Sequence, residues 1–182
     1  YRGYIEYDHS SNYMRFGTNA AQRMRIDSDG RLLLGLTSAR GNFYHNSSGV
    51  ETKFQVEGTT FTTSSAAFTR NSNNASDAEL ILAKSRGGSI GENTIVQDED
   101  SLGAISFQGA DGSEMIEAAA ITTYVHGSPG SNDMPGELVF STNGGSTTAT
   151  ARFQIDSRGQ VTARSNGSPS VDHIFTTAAG SS

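Results

Sequence analysis

The sequence predicts an all-β chain of short antiparallel strands and hairpins, and three observations carry that expectation. Apolar and polar residues alternate with a period of two along most of the chain. No window places apolar residues at i, i+3, i+4 and i+7 over three turns, so helices are not expected. Gly, Ser, Thr and Asn together make up about 41% of the residues, a composition of many turns.

The elements follow in order. Met14/Phe16 and Met24/Ile26 alternate with polar neighbours and read as the first hairpin. Asp29-Gly30 then punctuates the chain before Arg31-Leu32-Leu33-Leu34. Ile105/Phe107 and Ala119/Ile121/Thr123/Val125 form a second pair of strands around Asp111-Gly112. Ala118-Ala119-Ala120 could seed a helix, but the β-branched run after it favours strand. Leu138/Phe140 and Phe153/Ile155 complete the set, with Arg158-Gly159 as the next turn. Each of these turns supplies a glycine where a hairpin needs positive φ. Longer polar links run over 37–52, 71–77, 86–100 and 127–135.

Composition limits what the chain does. Leu, Ile, Val and Phe make up only about 19% of the 182 residues, a thin supply for a self-sufficient core. Disorder would also require high net charge, and the net charge is only −6 with 18% charged residues. Cys is absent, which excludes disulfides, thiolate metal sites and Cys nucleophiles, and leaves oligomerisation as the route to stability. The acidic balance and scarcity of Lys argue against nucleic acid as a partner. No apolar stretch approaches the length of a membrane span, so membrane insertion is not expected. A chain that opens on Tyr1 reads as a segment of a longer protein.

An internal repeat organises the sequence. Met14-Arg15-Phe16-Gly17-Thr18-Asn19 aligns with Leu138-Val139-Phe140-Ser141-Thr142-Asn143. Arg23-Met24-Arg25-Ile26-Asp27-Ser28-Asp29-Gly30 aligns with Arg152-Phe153-Gln154-Ile155-Asp156-Ser157-Arg158-Gly159. The link between the blocks is longer in the second copy, which predicts a longer, more exposed hairpin tip there. Upstream, Gly3-Tyr4-Ile5-Glu6-Tyr7 loosely echoes Gly103-Ala104-Ile105-Ser106-Phe107. Residues 1–36 therefore read as the C-terminal part of one β-module and 37–52 as a linker. Residues 53–163 read as a complete β-module, and 164–182 as a linker or the start of the next segment. The repeat is far too long for a solenoid, so the modules are strung along a chain.

The second copy, with its approach Met134-Pro135-Gly136-Glu137 and its end at Arg158-Gly159, resembles modules of bacteriophage tail fibres, especially those of marine phages and cyanophages. Phe54-Gln55-Val56-Glu57-Gly58, Thr69-Arg70-Asn71-Ser72 and Leu82-Ala83-Lys84-Ser85-Arg86-Gly87 are similar to the opening of such a module. The resemblance implies an elongated homotrimeric β-fibre in the virion tail, with modules along the fibre axis. It implies as partners further copies of the chain, other tail or fibre proteins, and a host surface receptor, with polysaccharide as one candidate. It implies a structural, adhesive role in host attachment and no cofactor. A glycan-recognition module is the alternative reading, and a depolymerase of the tailspike kind a weaker third.

Candidate chemistry is sparse. Gly87-Gly88-Ser89-Ile90-Gly91 matches the G-x-S-x-G nucleophile pattern, but Glu92-Asn93-Thr94 follows with no helix signal, so a glycine loop is the better reading. Asp27-Ser28-Asp29-Gly30 resembles the opening of a calcium loop, but the twelfth position is Ser38 where Glu is needed, so it reads as a turn. Asp98-Glu99-Asp100 reads as a solvated acidic loop rather than a cation site. His126 reads as a surface histidine, since no His-x-His pair accompanies it. No metal or catalytic residues are therefore assigned. Saccharide contacts would draw on Tyr13, Tyr44, His45, Tyr124 and the loop 127–135, with no spacing that singles them out. The residues given a structural role are Arg23, Arg152, Gly30 and Gly159. The two arginines recur before the paired Met24 and Phe153, where each could meet a carboxylate, Asp27 or Asp156, or a neighbouring subunit.

Overall fold

The computed structural model describes residues 2–43 and 51–164, with the backbone of 173–175. No α-helix occurs among them; a single 3-10 turn, Phe61–Thr63, interrupts an otherwise β and irregular chain. The chain divides into two compact units, Tyr1–Glu79 and Leu80–Ser182.

In the first unit, β1 (Gly3–Asp8), β2 (Tyr13–Thr18), β3 (Ala21–Ile26) and β4 (Leu32–Leu34) pair antiparallel in sequence order. The fifth strand, β5 (Phe54–Val56), pairs with β4 in parallel, so the sheet is not purely antiparallel. That pairing brings Phe54–Val56 into the first sheet, and the division between the two compact units falls after Glu79. Asn19 and Ala20 turn β2 into β3, both at positive φ (51° and 61°), as a two-residue hairpin turn requires.

In the second unit the strands run as one antiparallel meander. β6 (Ser101–Ala110) and β7 (Met115–Val125) are long, with 10 and 11 residues. β8 (Gly136–Thr142), β9 (Thr150–Ile155), β10 (Val161–Ala163) and β11 (His173–Phe175) follow. The spatial order β11-β10-β9-β8-β7-β6 leaves β6 at an edge. Ala118, Ala119 and Ala120 are strand, as the β-branched residues after them favour.

The register confirms the internal repeat. Met14 faces Ile26 and Phe16 faces Met24; Leu138 faces Ile155 and Phe140 faces Phe153. In both hairpins the register then slips by one residue, between Phe16/Gly17 and between Phe140/Ser141. The extra residues at these β-bulges are Arg23 and Arg152. The upstream echo is misplaced, however. Ile5 pairs with Phe16, and the residue that pairs with Phe140 is Ile121. The counterpart of β1 is thus β7, not β6, because pairing position and not local sequence defines the equivalent strand.

The two-residue period sorts each sheet into unlike faces. One face of the first sheet carries Ile5, Tyr7, Met14, Phe16, Met24, Ile26, Leu32, Leu34, Phe54 and Val56 in register across all five strands. One face of the second carries Ile105, Phe107, Ile121, Leu138, Phe140, Phe153, Ile155 and Val161. The described residues cover these faces only in part: Phe16 and Phe140 are half-buried, but Ile5 is 73% exposed and Phe107 52%. Only Leu33, Val96, Ala120, Val125 and Val139 are buried apolar residues among those described. Leu33 lies on the opposite face of its sheet, beside the buried Gln55. The Gln55 amide holds both the amide and the carbonyl of Arg40, which fastens that loop down.

Candidate functional site

The most specific polar geometry is duplicated. At the first bulge Arg23 Nε donates to Thr18 Oγ1 at 3.2 Å; at the second Arg152 Nε donates to Thr142 Oγ1 at 3.1 Å. Thr18 and Thr142 share faces with Phe16 and Phe140, so both guanidinium groups sit at the rim of an apolar face. The carbonyls of Arg23 and Arg152 accept from the amides of Gly35 and Arg164 respectively, which ties each bulge to the next strand.

The carboxylates expected to meet these arginines have other partners. Asp27 Oδ2 accepts from Arg31 Nε at 2.7 Å, and Asp156 Oδ2 accepts from Arg158 Nη2 at 2.8 Å. Each aspartate also braces its own turn. Asp27 Oδ1 accepts the amides of Asp29 and Arg31; Asp156 Oδ1 accepts those of Arg158 and Gln160. Gly30 (φ +71°) and Gly159 (φ +79°) close the turns by donating their amides to the carbonyls of Asp27 and Asp156. Burial would raise the Asp27 carboxyl, but the Arg31 amide and guanidinium outweigh it and hold the group below its usual range. Asp156 is held low first by the Arg158 guanidinium. The resemblance to a calcium loop ends here: Arg31 bridges Asp27, Asp29 and Glu51, so a guanidinium stands where a cation would.

The acidic run 98–100 is a clasp rather than a solvated loop, which corrects the sequence reading. Asp98 Oδ1 accepts the Gly127 amide at 2.7 Å. The Glu99 amide donates to the Val125 carbonyl, and the Val125 amide donates to the Asp100 carbonyl. Glu99 adopts φ 68°, a left-handed position that costs a non-glycine residue about 1–2 kcal/mol. The Asp100 side chain is only 8% exposed and accepts from Arg86 Nε at 2.6 Å, Arg86 Nη2 at 2.9 Å and the Gln97 amide at 2.9 Å. Lys84 Nζ adds a third cationic contact at 2.9 Å. These donors, Arg86 foremost, hold the Asp100 carboxyl far below the usual carboxylate range. Sequence reasoning missed this cluster because its partners are separated by a long irregular link.

The nucleophile pattern is not assembled. Neither a strand before Ser89 nor a helix after it forms the strained elbow that the chemistry needs. The backbone amides of Gly88 and Ser89 both donate to Glu92 Oε2, so the glycine stretch closes on itself as a carboxylate-braced turn. His126 is half-buried, with Nδ1 2.9 Å from Ser157 Oγ. Among the described residues no three His, Asp or Glu side chains gather as a metal site.

Of the saccharide candidates, Tyr13 belongs to the first unit, and Tyr124 and the loop 127–135 belong to the second. Tyr13 lies beneath the Arg25 guanidinium, 3.8 Å from the ring centroid, so that face is already stacked. Tyr124 lies on β7, Tyr44 and His45 lie outside the described residues, and the loop 127–135 is braced by a Gly130/Asp133 bridge.

No protein-family model matches the sequence, and no curated protein matches it significantly. Solved structures do, and they define the class: the chain has the fold of a phage tail-fibre domain. One is the carboxy-terminal domain of the bacteriophage T5 L-shaped tail fibre, with a TM-score of 0.61 and 16% identity over 96% of this chain and 74% of that one. The other is the same domain with its intramolecular chaperone domain, with a TM-score of 0.60 and 15% identity. The match to the second covers 95% of this chain and 53% of that one.

Proposed function

We propose that this chain is a structural segment of a trimeric phage tail fibre, a component of the virion tail that holds or contributes to the host receptor-binding apparatus. The observation that carries the reading is the pair of apolar sheet faces, continuous across strands and left partly open to solvent by the described residues of one chain. A side chain of the Ile or Phe kind gains about 1.5–3 kcal/mol on full burial, so faces of this size favour association strongly. The tail-fibre fold supplies the context, and further copies of the chain are the partners that fit it. The role is mechanical and adhesive rather than catalytic, consistent with turns and clasps whose polar groups bind one another. The two modules read from the repeat are successive segments of that fibre.

Light scattering tests the reading. The expected mass at micromolar concentration is that of three 19.2 kDa chains. Ile5→Asp combined with Phe107→Asp should lower the mass to that of one chain with strand content kept, since both positions are exposed within the chain. A folded wild-type monomer would overturn the reading. Binding of the trimer to host surface polysaccharide on a glycan array would place receptor recognition on this segment.

A further inference from the structure

Residues 65–83 contain no strand or helix, and none of their backbone groups bonds to another backbone group among the described residues. Within this stretch Leu80, Ile81 and Leu82 follow one another. In a strand, Leu80 and Leu82 would face one side and Ile81 the other, the pattern of a strand covered on both faces. The single chain gives them no such cover: Leu80 is 67% exposed and Ile81 75%.

The same unit holds a complementary vacancy. β6 is a 10-residue edge strand, with β7 as its one sheet neighbour among the described residues. Among the described residues the stretch 101–107 makes no backbone bond beyond its pairing with β7, which leaves an edge open to another strand, and the exposed Ile105 and Phe107 make it more receptive. The chain's own segment cannot fill it. Leu82 lies over the face of β6, so close that a Cβ on Gly103 would stand 2.7 Å from the Leu82 Cβ. Lys84 and Arg86 are then pinned to Asp100 at the start of the same strand. The segment therefore crosses above its own β6, and residues 80–81 project from it into solvent.

We propose that residues 80–83 form a strand exchanged between copies, adding to the β6 edge of a second copy of this chain. The inference rests on the multi-copy reading above and goes beyond it by naming the elements that interlock the copies. Gly103 is the residue that allows it, since only a missing side chain lets Leu82 cross the sheet face.

Amide hydrogen exchange on the full wild-type chain, with its mass measured in the same buffer, tests the exchange. Among the described residues of one chain the amides of 80–83 have no acceptor, so protection there points to another chain. In the oligomer they should exchange at least roughly tenfold more slowly than the amides of 71–75, together with protected outward amides on β6. Ile81→Pro, which removes an amide, should abolish the protection of β6. Ile81→Thr, which suits a strand, should keep it. Fast exchange at 80–83 in a chain shown to be oligomeric would overturn the strand exchange and leave the fibre reading standing. Protection of 80–83 without β6 would overturn the assigned pairing. A monomer would overturn both.

Discussion

Arg86 and Asp100 form a two-point contact, with guanidinium Nε and Nη2 2.6 and 2.9 Å from the two carboxylate oxygens of a nearly buried side chain. The pair fastens the irregular stretch before β6 to the start of that strand, and Lys84 and the Gln97 amide complete the shell. Such bidentate, charge-assisted contacts are the strong kind.

Asp100→Asn should therefore destabilise the second unit, with a pH signature. The carboxyl titrates lower folded than unfolded, so its contribution is complete above the unfolded value of about 4 and is lost as pH falls toward the folded value. Thermal unfolding should show the gap between wild type and Asp100→Asn widest at neutral pH and shrinking below pH of about 4. A gap independent of pH would mean that the charge is not what fastens the link.

Gly30→Ala and Gly159→Ala should each cost about 1–2 kcal/mol in denaturant unfolding. Both glycines hold positive φ, and nothing lies within 4 Å of the position a Cβ would take, so backbone strain is the whole cost. Asn at either position should cost less, because it tolerates the left-handed region. A much larger loss at one site alone would break the equivalence of the two hairpins.

The longer tip of the second hairpin, residues 144–148, should be removable at little cost if Asn143 is kept. Its residues are exposed, whereas Asn143 is anchored to β7 through the Glu117 and Ala118 carbonyls and caps the amides of Gly145 and Ser146. Asn143→Ala should cost more than the deletion, by about 1 kcal/mol, in thermal or denaturant unfolding. The reverse order would show that the tip packs on a neighbouring chain.

Ser89→Ala should leave stability within about 0.5 kcal/mol of wild type and reveal no lost turnover on ester, glycoside or peptide substrates. The turn around Ser89 is organised by Glu92, which accepts the Gly88 and Ser89 amides, and no strand or helix flanks it to form an elbow. Glu92→Gln should loosen that turn, seen as faster exchange of the Gly88 and Ser89 amides. Turnover that vanishes in Ser89→Ala would sink the non-catalytic reading.

Local patterns made part of this protein legible. Strand positions, the absence of α-helix among the described residues and the repeat were readable because the two-residue period and the Asp-x-x-Gly turns act within a few residues. The recurrence of Arg23 and Arg152 pointed to a shared job, but its nature was not readable. Their partners are threonine hydroxyls chosen by a bulge, and a bulge is a mismatch between two strands that neither strand encodes alone. The Asp27 and Asp156 carboxylates, obvious candidates by proximity, were already committed to their own turns.

By itself the sequence determined that the chain is β-rich, that its hairpins repeat, and that its apolar supply is too thin for a closed core. Those properties depend on local propensity and composition. Only the tertiary structure decided that Phe54–Val56 joins β4 in parallel, that β1 answers to β7, and that the acidic run 98–100 is a clasp. It also decided that the apolar residues of each sheet gather on one face, which the described residues cover only in part. The physical reason is common to all four. Each depends on contacts between residues far apart in the chain, and the closure of long links is settled by the sum of the pairings it permits, not by the residues of the link.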